Sequence, residues 1–385
     1  MKNNGIIRGI LPAIFLTLPI GSVYAFSIFL NDITTICGVS KQTAQLCFSL
    51  SIFFLGMGAS FFGKLVEKNP KISGLLAGFL FLFGNELSAY GLFNKTFWMV
   101  LVGYGVLNGL GQGIGYLAPV KTLMMWYPNK KGLASSISIV SFGLGSTLCA
   151  FMFSFLNKPS PEFFTIMGYV YFMVMVMGSL LIKKPYNDQN NILTEFKYSK
   201  LFSDKIFWHS WLFMFLNISA GLAFIGCSVP IFKDAGITEK TILVLMMLAG
   251  IFNGSFRLVF AYLSDYIKPR VNVWLIISVL SVAFLSVGII SYALIGISVL
   301  LINATYGGGF STCPSVLSEY YPVNNLSKIH GAVLSAWGFA GLIGNNIGNY
   351  ILTTFGGYWI AVFLIFVYFL NAYNVSLLRK YKHEI

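Results

Sequence analysis

The chain has 385 residues, of which 57% are apolar, 17% aromatic and 10% charged, with a mean hydropathy of +0.78. A water-soluble domain of this size carries about 25% charged residues, so soluble enzymes and binding modules are excluded along with disordered segments, and a polytopic membrane protein remains. Lys and Arg outnumber Asp and Glu by 25 to 12, yet they sit at the ends of apolar runs rather than along a basic stripe interleaved with aromatics, which excludes a nucleic-acid interface.

A membrane helix needs about 20 mainly apolar residues. Twelve such runs follow one another: 8–30, 43–64, 72–93, 97–122, 132–156, 163–183, 207–232, 240–263, 271–290, 292–318, 329–353 and 357–379. The first follows Lys2 and Arg8 but is long and lacks an Ala-x-Ala cleavage pattern, so it is expected to be retained. It carries Thr17 and Tyr24; the third run carries Glu86 beside Asn85. The fourth places Asn108, Gln112 and Tyr116 at i, i+4 and i+8, with Lys121 near its end, where a long side chain is expected to snorkel to water. Gly105, Gly109 and Gly113 in that run repeat at four and predict a close helix crossing rather than a nucleotide loop, because no strand precedes them.

In the eighth run, Arg257 lies six residues before Leu263, roughly 9 Å inside the nearer membrane edge. Arginine near a helix centre costs about 2.5–3.5 kcal/mol to insert, so a partner or a substrate is expected. Asn253, one turn deeper, shares its face, and an amide and a guanidinium four apart can together hold a carboxylate. Tyr306 lies in the tenth run and Trp337 in the eleventh. The five cysteines and three histidines show no disulfide framework, metal spacing or catalytic triad, so no cofactor and no enzyme activity are expected.

Assigning loops alternately to two sides collects 18 cations on one side, Lys2, Arg8, Lys64, Lys68, Lys71, Lys130, Lys131, Lys183, Lys184, Lys197, Lys200, Lys205, Lys268, Arg270, Lys328, Arg379, Lys380 and Lys382, against 5 on the other, Lys41, Lys95, Lys158, Lys233 and Lys240. Both termini are therefore expected in the cytoplasm, in an inner or plasma membrane. The polar stretch 186–206 divides a six-span half, 1–185, from a second, 207–385. The halves repeat each other: Gly63 to Glu67 answers Ala261 to Asp265, and Gly115-Tyr116 answers Gly309-Phe310, at offsets of 198 and 194 residues. Such duplication is the signature of secondary transporters with a site near the midplane.

The segment Gly63 to Lys71 resembles, in degenerate form, the loop between spans 2 and 3 of the major facilitator superfamily. Gly21 to Ser27, Trp126 to Ala134, and Gly331 to Gly338 with Gly341 resemble the oxalate/formate antiporter family, within it the branch of bacterial lactate and pyruvate transporters. The resemblance implies an all-α membrane protein of twelve transmembrane helices in two pseudo-symmetric six-helix bundles, with spans 1, 4, 7 and 10 lining a central cavity. It implies that Arg257 pairs a substrate carboxylate, with Asn253 matching the Asn that precedes the span 8 Arg in lactate-type relatives. Tyr24, Tyr116, Tyr306 and Gln112 then join it as polar cavity residues. Oxalate-type members carry a second cation in span 11; Trp337 occupies that position here, which argues against a dianion, because one carboxylate would be desolvated without a counter-charge.

The expected function is therefore secondary active transport of a small monocarboxylate of the lactate or pyruvate type, coupled to a proton, by alternating access of a monomer in the lipid bilayer. Glu86 is the side-chain candidate for proton coupling, and Glu67 and Asp265 are candidate gating residues. The alternatives are an oxalate/formate anion exchanger and a non-transporting membrane sensor of the same fold.

Overall fold

The computed structural model describes residues 2–185, 198–291 and 294–381, so most of the 186–206 stretch lies outside the described residues. Every regular element among the described residues is helical. Twelve long helices follow in order: α1 (Ile6–Phe26), α2 (Lys41–Lys68), α3 (Pro70–Phe93), α4 (Phe97–Trp126), α5 (Pro128–Leu156), α6 (Ser160–Leu181), α7 (Lys205–Gly226), α8 (Lys240–Tyr266), α9 (Val271–Ile290), α10 (Ile295–Tyr320), α11 (Val323–Phe355) and α12 (Gly357–Leu378). Eleven of them, all but α10, are apolar enough to cross a membrane by length and composition. α10 is diluted by Asn303, Thr305, three successive glycines from Gly307, Ser311, Thr312, Ser315 and Ser318, nearly all of them buried.

Local chemistry sets the helix starts. Ser40 caps α2 by accepting from the Thr43 N–H at 3.1 Å, and Thr238, 198 residues later, caps α8 by accepting from the Thr241 N–H at 3.4 Å. Asn69 caps α3 ahead of Pro70, whose missing N–H costs nothing at a first helical position. Asp204 caps α7 by accepting from the Ile206 N–H at 2.8 Å, and its other oxygen accepts from the Tyr321 hydroxyl at 2.5 Å.

The expected run 207–232 is broken in the structure: α7 ends at Gly226, and a short helix, Ser228–Asp234, follows. Pro230 has no N–H to offer the Gly226 carbonyl, so the ladder is interrupted there. In α1, Pro19 has the same effect, and Gly21–Ile28 continues as a tighter 3₁₀ turn that carries Tyr24.

The chain forms two compact units, Met1–Glu195 with Val323–Gly338, and Phe196–Pro322 with Phe339–Ile385. The first part of α11 thus packs with α1–α6. Within the first unit α1 packs on α5 and α6, α2 on α4, and α3 on α6. Within the second, α7 packs on α12, α8 on α10, and α9 on α12, the same pairings six helices later. Large apolar side chains such as Phe61 (71% exposed) and Phe155 (74%) cover uncovered helix faces, as lipid demands and water would not. Interior hydroxyls bond back to their own helix, as Thr17 does to the Ala13 carbonyl at 2.7 Å and Ser88 to that of Gly84 at 2.7 Å. That satisfies polar groups where neither lipid nor water can.

Candidate functional site

In the second unit, α8 and α10 cross at Gly307. A Cβ there would stand 2.5 Å from the Asn253 carbonyl oxygen and 3.1 Å from Arg257 Cγ, so only glycine lets the helices meet this closely. The crossing buries Arg257 to 3% exposure. Its Nε donates to Asn253 Oδ1 at 3.0 Å, its Cζ lies 5.6 Å from the Phe310 ring centroid, and its carbonyl accepts from the Ser311 hydroxyl at 2.9 Å. The amide and the ring fix the guanidinium plane, and a planar cation so held suits a carboxylate. Asn253 and Arg257 are thus brought together. Tyr306, next to Gly307 in sequence, is buried with its ring on α7, where a Cβ at Gly221 would stand 2.3 Å from Tyr306 Cδ2.

In the first unit, Tyr116 from α4, Phe142 from α5, and His330 and Trp337 from α11 form a fully enclosed aromatic cluster, with Tyr24 from α1 at its edge. Ring centroids are 6.0 Å apart for Tyr116 and Phe142, 5.8 Å for Phe142 and Trp337, 6.4 Å for Tyr116 and Trp337, 6.0 Å for Tyr116 and His330, and 5.3 Å for Tyr24 and Phe142. Tilted and edge-on contacts of this kind add about 0.5–1.5 kcal/mol each beyond area burial. Tyr24, Tyr116 and Trp337 are brought together. Gln112 is not with them: its Oε1 accepts from Ser51 at 3.4 Å, and it lines a cavity of about 10 Å³ inside the bundle with Asn85, Tyr104, Asn108 and Tyr171. That volume holds about one water. Positions i, i+4 and i+8 drift about 80° around a helix of 3.6 residues per turn, which separates Asn108 from Tyr116.

Glu86 sits half-buried on the α3–α6 seam, with Oε1 3.5 Å from where a Cβ on Gly168 would stand. Asn85 gives it no support, because its Nδ2 donates to the Phe81 carbonyl at 2.7 Å.

Glu67 is fully buried at the end of α2 and forms an ion pair with Lys121 of α4. Its Oε1 accepts from the Ser327 N–H at 2.5 Å, and its carbonyl accepts from Lys184 Nζ at 2.7 Å. Lys121 donates further to the Asn324 carbonyl at 3.0 Å. Lys121, expected to reach water, is instead 4% exposed, because Glu67 ends α2 at its own depth. The structure thus ties the ends of α2 and α4 to the start of α11. Asp265, the counterpart of Glu67 198 residues on, accepts from Arg270 Nη2 at 3.3 Å. Glu319 accepts from the Arg270 N–H at 2.6 Å, and Arg270 Nη1 reaches the Ser315 carbonyl at 3.1 Å and Ser318 Oγ at 3.0 Å.

Sequence reasoning passed over Phe310, His330, Phe142 and Arg270. The duplication carried a signal for the first: Phe310 answers Tyr116 at the 194-residue offset. Nothing comparable marks His330. Among the described residues no group of three or more His, Cys, Asp or Glu comes together as a metal site.

Residues 10–345 match the Major Facilitator Superfamily. The chain is 27% identical over 336 residues to the MFS-type transporter YhjX of Escherichia coli K12, covering 84% of this chain and 82% of that one. It is 24% identical over 367 residues to the oxalate:formate antiporter of Oxalobacter formigenes, covering 92% and 86%. The fold is similar to the proton:xylose symporter XylE, with a TM-score of 0.73 at 14% identity over 94% of both chains. The family match spans most of the helical chain, and the repeated pairing of six helices agrees with it: this chain is an integral membrane transporter that belongs to the Major Facilitator Superfamily.

Proposed function

We propose that the protein carries a small monocarboxylate of the lactate or pyruvate type together with a proton, as a secondary active transporter of the oxalate/formate antiporter family. The observation that carries this reading is Arg257, buried in α8, with Nε on Asn253 and its face on Phe310. A guanidinium enclosed at that cost is retained for an anion, and a carboxylate matches its fork. Trp337, enclosed by Tyr116 and Phe142, adds an apolar aromatic where a dianion would need a second cation. In the first unit Tyr24, Tyr116 and Trp337 form an aromatic wall of the transport path, which favours a short apolar tail, while Gln112 stands apart from it on Ser51. In the second unit Tyr306 adjoins the Gly307 crossing that holds Arg257. The functional unit is a monomer of two six-helix halves, 1–185 and 207–385, with the 186–206 stretch between them on the cytoplasmic side. Both termini face the cytoplasm from an inner or plasma membrane, and Glu67 and Asp265 hold its cytoplasmic ends.

A second reading, exchange of oxalate for formate, is favoured by the 24% identical relative, an oxalate:formate antiporter. The test is uptake of labelled L-lactate and pyruvate into proteoliposomes, with and without an inward proton gradient, for wild type and Arg257→Gln. Gradient-driven uptake that the substitution abolishes supports symport. Exchange of internal oxalate for formate without lactate uptake supports the second reading. Ligand-induced thermal stabilisation with no flux of any carboxylate would instead make the protein a sensor.

A further inference from the structure

Of the chain's three histidines, His209 is half-buried with Nδ1 on Asn374 Oδ1 at 2.7 Å, and His383 lies outside the described residues. His330 is different. It is 2% exposed, and its Nε2 has no hydrogen-bond partner among the described residues. An unsatisfied buried polar nitrogen costs about 1–3 kcal/mol, which a phenylalanine or leucine in the same space would not incur.

Its position is specific. Ser327, one turn earlier on α11, donates its N–H to Glu67, and Trp337, two turns later, packs on the same Tyr116 ring that His330 meets at 6.0 Å. His330 is therefore the member of the aromatic cluster that lies on the α11 turn after Ser327, which holds Glu67. α2 meets this stretch through backbone: a Cβ on Gly331 would stand 2.1 Å from the Ala59 carbonyl oxygen, and one on Gly63 would stand 2.8 Å from Lys328 Cα. The buried titratable and charged groups on the flanking turns are Glu67 on α2, Tyr116 and Lys121 on α4, and Lys328 on α11 itself, with Lys64 of α2 exposed. Glu67 and Lys121 are paired with each other, which leaves the Tyr116 phenol as the titratable group in ring contact with the imidazole.

We propose that His330 is the proton-carrying residue of the transport cycle, taking the proton that accompanies a carboxylate past Tyr116 on Nε2. This rests on the monocarboxylate–proton reading above and places the proton beside the aromatic cluster rather than at Glu86 on the α3–α6 seam. Imidazole is the side chain whose charge changes near neutrality. When the Glu67–Lys121 pair and its hold on Ser327 give way, water reaches Nε2. A proton taken there creates a positive charge beside Tyr116 that attracts a carboxylate, and its loss removes that attraction, so anion and proton bind and leave together.

The test uses the full chain in proteoliposomes and measures two modes for wild type and His330→Gln: accumulation of pyruvate down a proton gradient, and pyruvate–pyruvate exchange at equal pH. The expected result is loss of accumulation above the no-gradient level, with exchange weakened by the loss of the imidazolium but still present at raised pyruvate concentration, because Arg257 remains to pair the carboxylate. A variant that accumulates pyruvate as wild type does overturns the proposal while leaving the transport reading intact. Wild-type vesicles that move no carboxylate overturn both. Imidazole NMR on protein carrying His209→Gln and His383→Gln, which leaves His330 as the only histidine, serves if His330→Gln fails to fold. Pyruvate is expected to move the His330 titration upward by about one pH unit, and an unmoved titration contradicts the proposal.

Discussion

The α2–α4 crossing of the first unit and the α8–α10 crossing of the second share one backbone design with different chemistry. Gly113 lets α4 approach the Leu55 carbonyl, to 2.1 Å from a would-be Cβ, and Gly307 lets α10 approach the Asn253 carbonyl, to 2.5 Å. Leu55 and Ala59 of the first crossing are replaced, 198 residues on, by Asn253 and Arg257. One copy of the frame stays apolar while the other holds a buried cation with its amide and aromatic support. The helix ends diverge as well: the first unit closes with one buried pair, Glu67 and Lys121, and the second with Arg270 shared between Asp265 and Glu319. Duplication supplies a shared scaffold, and a few substitutions on equivalent turns decide which half carries the buried cation.

The largest expected effect breaks the first unit's end. Lys121→Met leaves Glu67 buried and uncompensated and should destabilise the fold by about 3–5 kcal/mol, whereas Glu67→Leu combined with Lys121→Met should recover most of that loss. Thermal unfolding in detergent reads both, and a single variant as stable as wild type would contradict the pairing. Arg257→Gln comes next, with carboxylate binding weakened by about 2–5 kcal/mol, roughly 30-fold or more, and unfolding little changed. Gly307→Ala and Gly113→Ala sharpen the shared geometry: each should cost about 1–3 kcal/mol of stability through overpacking, Gly113→Ala more, and Gly307→Ala should also impair uptake by displacing Asn253. The smallest effect is Asn253→Ala, which removes the Nε bond but keeps the charge and should raise KM by about tenfold at most.

Much of the architecture was legible because membrane helices are set by long apolar runs. The caps at Ser40 and Thr238 repeat the duplication at the level of single hydroxyls. Arg257 and Asn253 were legible as a pair because i and i+4 share a helix face. What escaped depends on distant chain segments. Glu67 as the partner of Lys121 lies 54 residues away, and Ser327 as its further donor lies 260 residues away. The Asn108–Gln112–Tyr116 stripe looked like one face, but the drift of helical period sends Gln112 to an internal cavity and Tyr116 to the aromatic cluster. The break after Gly226 was marked by Pro230 but masked by the apolar residues around it.

The most direct test of Arg257 as the carboxylate-pairing group is binding to the purified protein, measured as the rise in unfolding temperature with increasing pyruvate for wild type and Arg257→Gln. The assignment predicts a saturable rise in wild type that is absent in a variant whose ligand-free unfolding temperature is unchanged. The same saturable rise in Arg257→Gln would contradict it.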